Sequence, residues 1–314
     1  MNRKTTVIAN FNCTFGKDNK PMMEYFDSVI YPALINYSIE DIKDENLFFK
    51  NVEIIKCKDD RYVLSGILVK KTQLEIKTVY DEKNGLTFTN KYYDSAPISL
   101  FSIFLDNHRM IYTTNQKGSP TIRAFGVTVK KVIKDYIKNI NLKLEKDEKI
   151  PFPQIDVVSI PSSESIKNQL ENVEKIRKLT FKMFSPNGDI EMSNIFKAMI
   201  QQLNCVGSKR GSLVYNSPSN FKNVIETIDE TSGLVEANLD VKFKNGGIGK
   251  IEHDKLTEKF QMEFEDDITN AEVQAIAINT YSENPNIALV SEENKKIFND
   301  NKPKLINFLE YKKR

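Results

Sequence analysis

The chain of 314 residues has no tryptophan, two histidines and three cysteines. Each shortage removes a class of chemistry. The imidazoles, His108 in "LDNHRM" and His253 in "IEHDK", leave little material for a Ser–His or Cys–His hydrolase, whose base needs an orienting carboxylate and a nucleophile beside it. Cys13, Cys57 and Cys205 are far apart and odd in number, so they supply neither a disulfide framework nor the paired cysteines of a zinc finger. They read as free thiols of a reducing compartment, and the expected location is cytoplasmic. No stretch reaches the ~18 continuous apolar residues of a membrane span. The opening "MNRKTTVIANFNCTFG" alternates like a strand instead of forming a signal-peptide core, so no membrane partner is expected. An excess of one charge is also missing. Lys and Arg number 45 against 43 Asp and Glu, a net charge of +2. Any electrostatic footprint must therefore come from local clustering.

What is present is enough apolar material, 40% of residues, to build a sizeable core. Alternation predicts strands over 5–15, 61–69, 73–80, 86–93 and 98–105, the last apolar on both faces as in a central strand. Helical spacing predicts a helix over 19–36. A second helix is expected from a Ser119 cap with Pro120 at its first position to about Asn139, burying Ile122, Phe125, Val129, Val132, Ile133, Tyr136 and Ile137. The charged, proline-ended "NLKLEKDEKIPFPQ" reads as a boundary between domains 1–145 and 146–314. Past it, a strand, a helix and "IRKLTFKMF" read as a βαβ unit. Then come an amphipathic helix over 190–204, antiparallel strands around a Gly-Gly turn, a capping box at Thr269 and Glu272, and a last helix over 291–300. The expected class is α+β, with two mostly antiparallel sheets each packed by one or two helices in a ferredoxin-like layout.

The order of elements resembles a bacterial family of unknown function associated with mobile and defence-related gene neighbourhoods. The pieces that carry the resemblance are "FSIFLDNHRMIYTTNQKGSPTIRAF", "RKLTFKMFSPNGD" and "SGLVEANLDVKFKNGGIGKIE". It implies a role in anti-phage defence and carries over no catalytic residue.

The candidate sites follow from charge patterning. Lys130, Lys134 and Lys138 recur every fourth residue and line one side of the predicted helix, with Arg123 and Lys131 flanking them. Such a row can track phosphates, or it can be a solvated helix face. "CVGSKRGSLVY" places Lys209 and Arg210 between two glycines, a loop able to hold an anion or a nucleic-acid strand. In "LVEANLDVKF", Glu236, Asp240 and Lys242 share a strand face, and Asp240 and Lys242 have the D-x-K spacing of metal-dependent nucleases. A further carboxylate, from Asp229 or Glu226, would have to join them. "NGGIGKIE" fails as a phosphate loop, with Lys244 where a glycine is needed and Ile251 where Ser or Thr is needed. His108 reads as part of a hairpin turn, and "EHD" at 252–254 as a charged strand end. Tyr92, Tyr93 and Phe88 read as half-buried strand aromatics.

Three readings follow. The first is a non-catalytic nucleic-acid-binding protein, placed by the resemblance in a defence system. The second is a protein-interaction or homo-oligomeric scaffold. The third is a nuclease needing Mg²⁺. No metal site or cofactor is expected under the first two.

Overall fold

The computed structural model describes residues 2–36, 46–57, 60–184, 194–265 and 267–312. In chain order its strands are β1 (Asn2–Phe15), β2 (Lys20–Pro21), β3 (Leu47–Lys56), β4 (Tyr62–Lys70), β5 (Thr72–Asp81), β6 (Gly85–Ser95), β7 (Ile98–Phe104), β8 (Arg109–Thr114), β9 (Pro153–Ser159), β10 (Val173–Phe184), β11 (Arg210–Asn216), β12 (Val235–Phe243), β13 (Ile248–Ile251) and β14 (Phe260–Phe264). Its α-helices are α1 (Tyr31–Asn36), α2 (Ile122–Asn141), α3 (Ser163–Leu170), α4 (Asn194–Cys205), α5 (Phe221–Asp229), α6 (Asn270–Tyr281), α7 (Pro285–Ala288) and α8 (Glu292–Lys312). Helices pack on antiparallel sheets, the α+β class.

The long strand β1 organises the larger sheet. One edge pairs with β8 through Thr5–Asn10, and the sheet continues through β7, β4 and β3. The other edge is divided: β14 pairs along 2–6 and β9 along Ala9–Phe15. Alternation sends Ala9, Phe11, Cys13 and Phe15 into a core shared with α1, α2 and α8. Ile8 points to the opposite face, where Ala277, Ile278 and Ile287 of α6 and α7 cover it. The smaller sheet runs β11-β10-β12-β13. Its apolar face packs on α3, α4 and α5 through Ile166, Phe196, Val224 and Ile228. Its other face is open.

The sheets do not part at the expected boundary between 145 and 146. The smaller sheet and its helices occupy residues 162–257, inserted between β9 and β14 of the larger one. A bridge between Pro161 and Thr257 closes the neck, with Ser162 N donating to Leu256 O at 3.1 Å. The charged stretch that resembled a linker is clamped: Asn141 Nδ2 donates to Ile150 O and Ile150 N to Asn141 Oδ1, each at 2.9 Å. The expected βαβ unit is likewise absent, because β9 and β10 lie in different sheets. Every strand pair among the described residues is antiparallel, so neither part has the parallel central pair of a ferredoxin-like layout.

Two helices also differ from their sequence reading. Over 19–36, a 3₁₀ turn at Met22–Tyr25 and a π turn at Phe26–Ile30 precede α1. Met22, Met23, Phe26, Val29 and Ile30 are all buried along these windings, the apolar face that helical spacing marks out. The last helix passes through Pro303 instead of stopping near 300. Burial of Leu305 and the edge-on contact of Phe308 with Tyr31, centroids 5.3 Å apart, outweigh the hydrogen bond that proline removes.

Candidate functional site

Helix α2 begins at its cap Thr121, whose hydroxyl accepts from Ala124 N at 3.2 Å. This is later than the Ser119 reading. The Pro120 carbonyl is held by Ser99 Oγ at 2.7 Å and Tyr112 Oη at 2.8 Å, and Ser119 Oγ accepts from Gln116 N instead. The helix buries Phe125, Val129, Val132, Ile133 and Ile137, as its spacing predicts. At Gly126 the helix lies directly against Val157 of β9, where an added Cβ would stand at contact distance, 3.4 Å from Val157 Cγ2. The helix thus becomes one wall of a cleft of about 690 Å³. The strand β9 lies along its floor, and the open face of the smaller sheet forms the opposite wall.

Three of the predicted basic residues meet in this cleft. Arg123 and Lys130 enter from α2, and Arg210 from the start of β11. Arg210 Nη2 donates to Asp156 Oδ1 of β9. Burial pushes the Asp156 carboxyl up from its usual range, against the pull of Arg210 and Lys130. Burial likewise lowers the Lys130 ammonium, and Arg210 and Lys134 add to the lowering while Asp156 opposes it. Lys182 and Lys250 face the cleft from β10 and β13, at 3.4 Å from Glu236 and 3.9 Å from Glu252. Among the described residues, Arg123 and Lys130 have no carboxylate within ion-pair distance. Beyond the cleft the same open face continues past Lys178, Arg177 and Lys175, with Asp240 the one carboxylate lining that depression.

The other predicted basic residues are placed differently. Lys134 is half-buried one turn beyond Lys130, and Lys131 is exposed outside the cleft. Lys138 Nζ lies 3.1 Å from Asp135 Oδ1 on its own helix. Lys209 Nζ donates to Lys17 O and Asn19 Oδ1, each at 2.5 Å, and so pins β11 to the turn after β1. The glycine-bracketed segment is no open loop: Gly211 lies within β11 under Leu203, whose Cδ2 would stand 2.7 Å from an added Cβ.

The carboxylates proposed for a nuclease do not converge. Glu236, Asp240 and Lys242 do share the open face of β12, half-buried in alternation with Val235, Ala237, Leu239 and Val241. Each is matched to a charge on β10: Lys182 with Glu236 at 3.4 Å, Lys178 with Asp240 at 3.0 Å, and Glu174 with Lys242 at 2.8 Å. Asp229 and Glu226 sit on α5, on the far side of the sheet, where Ser163 Oγ donates to Asp229 Oδ2. No group of three or more His, Cys, Asp or Glu able to hold a metal occurs among the described residues.

Both histidines are buried, and the ring of His253 is a structural tie. His253 opens a 3₁₀ turn, accepts at Nδ1 from Ala237 N at 3.0 Å, and at Nε2 contacts Ser159 O at 2.7 Å. With Nδ1 accepting, Nε2 carries the proton and donates to that carbonyl. The ring fastens the inserted sheet to β9. His108 ends the β7–β8 connection at φ 57. That turn is buried against the segment after α6, with Asn107 Nδ2 donating to Ile287 O and Leu289 O, and Arg61 gripping Asp106 at 2.6 and 2.8 Å.

Sequence reading missed Asp156, Lys182 and Lys250. The first stands in a short apolar strand with no neighbour to mark it, but the lysines carried a signal: alternation in "IRKLTFKMF" sets Lys178 and Lys182 opposite Leu179 and Phe181. Compared with protein families, curated proteins and solved structures, the chain matches none. No described helix is long and apolar enough to cross a membrane.

Proposed function

We propose that this protein binds nucleic acid without cutting it, holding a phosphate backbone in the cleft between α2 and the inserted sheet. One observation carries the reading. Two basic features 80 or more residues apart in sequence, Arg123 with Lys130 and Arg210, line the same cleft. Within it Arg123 and Lys130 remain without ion-pair partners among the described residues. Guanidinium and ammonium groups held on a helix and a strand are pre-positioned donors for phosphate oxygens, and such contacts fix a strand in place without reading its bases. The open face beyond, with Arg177 and Lys175, extends the track past a single phosphate, while Lys178 there is held by Asp240. The non-catalytic part of the reading is supported by Glu236 and Asp240, which are each engaged by a lysine. A place in an anti-phage defence system rests on the family resemblance alone.

The test is fluorescence anisotropy with single- and double-stranded DNA and RNA, titrated at several salt concentrations. Binding should weaken steeply with salt, because each neutralised phosphate releases counterions. The double variant Arg123→Glu, Lys130→Glu should weaken binding at least ~10-fold and flatten the logarithmic salt slope by about 2. Absence of binding by the unaltered protein to every probe at low salt rejects the proposal.

A further inference from the structure

The ribbon formed by β5 and β6 leaves one apolar face bare. Its register pairs Leu74 with Tyr93, Ile76 with Lys91, Thr78 with Phe88 and Tyr80 with Leu86. Directly paired residues of an antiparallel ribbon point to the same side, and alternation along β5 places these four pairs on one face. Phe88 is 90% exposed, and Leu74, Tyr80, Leu86 and Tyr93 are each more than half exposed. The opposite face is mixed: Gln73, Glu75, Lys77 and Asp94 stand there with two exposed apolar side chains, Val79 and Tyr92. Sequence reading took Phe88 and its neighbours for half-buried aromatics, but among the described residues no other element packs extensively on this ribbon. A two-stranded ribbon alone is marginal in water, and a continuous apolar patch of this kind, denser on this face than on the other, marks an interaction surface.

We propose that this face pairs with the same face of a second copy of the chain about a two-fold axis. Three features select that occupant. The first is charge: Lys91 is the single charged side chain on the face, too little to track a phosphate backbone, and the remaining side chains are apolar or uncharged, as another copy of the same face is. Lys91 can lay its aliphatic stem flat and carry its ammonium to the rim. The second is area. The exposed aromatic and leucine side chains offer on the order of 600 Å² per copy, close to the roughly 800 Å² per partner of a stable interface. The third is position. The ribbon grows from the β4–β7 pair, where Lys70 N donates to Pro97 O at 3.0 Å, and two such arms can stack like the sheets of a sandwich. An isologous contact of this kind closes on itself and covers the more apolar face of both copies. It does not depend on the cleft's ligand.

Sedimentation velocity over about 1 to 100 µM tests it, because association follows mass action. The unaltered protein should be a dimer. Phe88→Glu and Leu86→Lys, examined separately, should each raise the dimer dissociation constant at least ~100-fold, whereas Glu75→Lys on the opposite face should leave it unchanged. Amide hydrogen exchange guards against a merely unfolded ribbon: in the unaltered protein, protection of 72–95 should rise with protein concentration. A monomer throughout this range overturns the proposal, as does a dimer insensitive to both face variants. A monomer that co-sediments with phosphatidylcholine vesicles through this ribbon overturns it too and assigns the face to lipid.

Discussion

His108 sits at φ 57, a left-handed conformation that Asn adopts readily and β-branched residues resist. His108→Asn should therefore fold normally, while His108→Val should lose roughly 2 kcal/mol, read from urea unfolding midpoints. The ring also makes stability depend on acid. Burial, with Arg109 adding a like charge, lowers its pKa to about 4, against about 6.5 in the unfolded chain. Between these values the unfolded chain binds the proton and the folded one does not, so stability is full above about pH 6.5 and falls as pH drops toward 4. His253, also lowered by burial, acts in the same direction. The unaltered protein should lose more stability than His108→Asn between pH 6.5 and 4, by up to about 3 kcal/mol, measured by urea unfolding at each pH. The residue was legible as a turn because "DNHR" offers left-handed formers between two apolar strands. Its burial was not, since the turn it closes is fastened to a segment distant in the chain, with its neighbour Asn107 donating to Ile287 O and Leu289 O.

At the scale of single elements, α2 shows what periodicity can and cannot separate. Its stripe follows from 3.6-residue spacing: the structure buries Phe125, Val129, Val132, Ile133 and Ile137, with Ile122 and Tyr136 half-buried at its margin. The same spacing made Lys130, Lys134 and Lys138 equivalent members of one row. Packing distinguishes them: Lys130 enters the cleft, whereas Lys138 is matched to Asp135 three residues before it. Lys138→Ala should leave oligonucleotide affinity within about two-fold, and Lys130→Ala should lower it several-fold with a shallower salt slope, both read by anisotropy titration. Equal effects at the two positions would show that the cleft does not discriminate. The strand β12 teaches the converse. Its alternation correctly grouped Glu236, Asp240 and Lys242, but the cross-strand charges of β10 that engage them belong to another segment.

For the whole molecule, the insertion of 162–257 decides what can fold alone. That segment owns a core, and its ends meet at the Pro161–Thr257 bridge. Residues 1–145 lack β9 and β14, and lack Phe298 and Leu305 of α8, which belong to the core around β1. An excised 162–257 should therefore show cooperative thermal unfolding and dispersed amide resonances. A 1–145 fragment should show neither, having an open β1 edge and an uncovered apolar face. Two independently folding halves divided at 145 would refute this account of the architecture.

Local order was written in the chain: the α+β class, the strand alternation, the stripe of α2 and the capping box at Thr269, which the structure closes with Glu272. These depend on periodicity and on groups a few residues apart, and no distant contact is needed to specify them. Tertiary structure alone decided that β1 shares one edge between β9 and β14, that Arg210 meets Asp156 beside Lys130, and that the β5–β6 ribbon stands clear of the body. Each of these sets together, or keeps apart, segments distant in sequence, through strand pairing and burial summed over many residues, and no short window of sequence contains that sum.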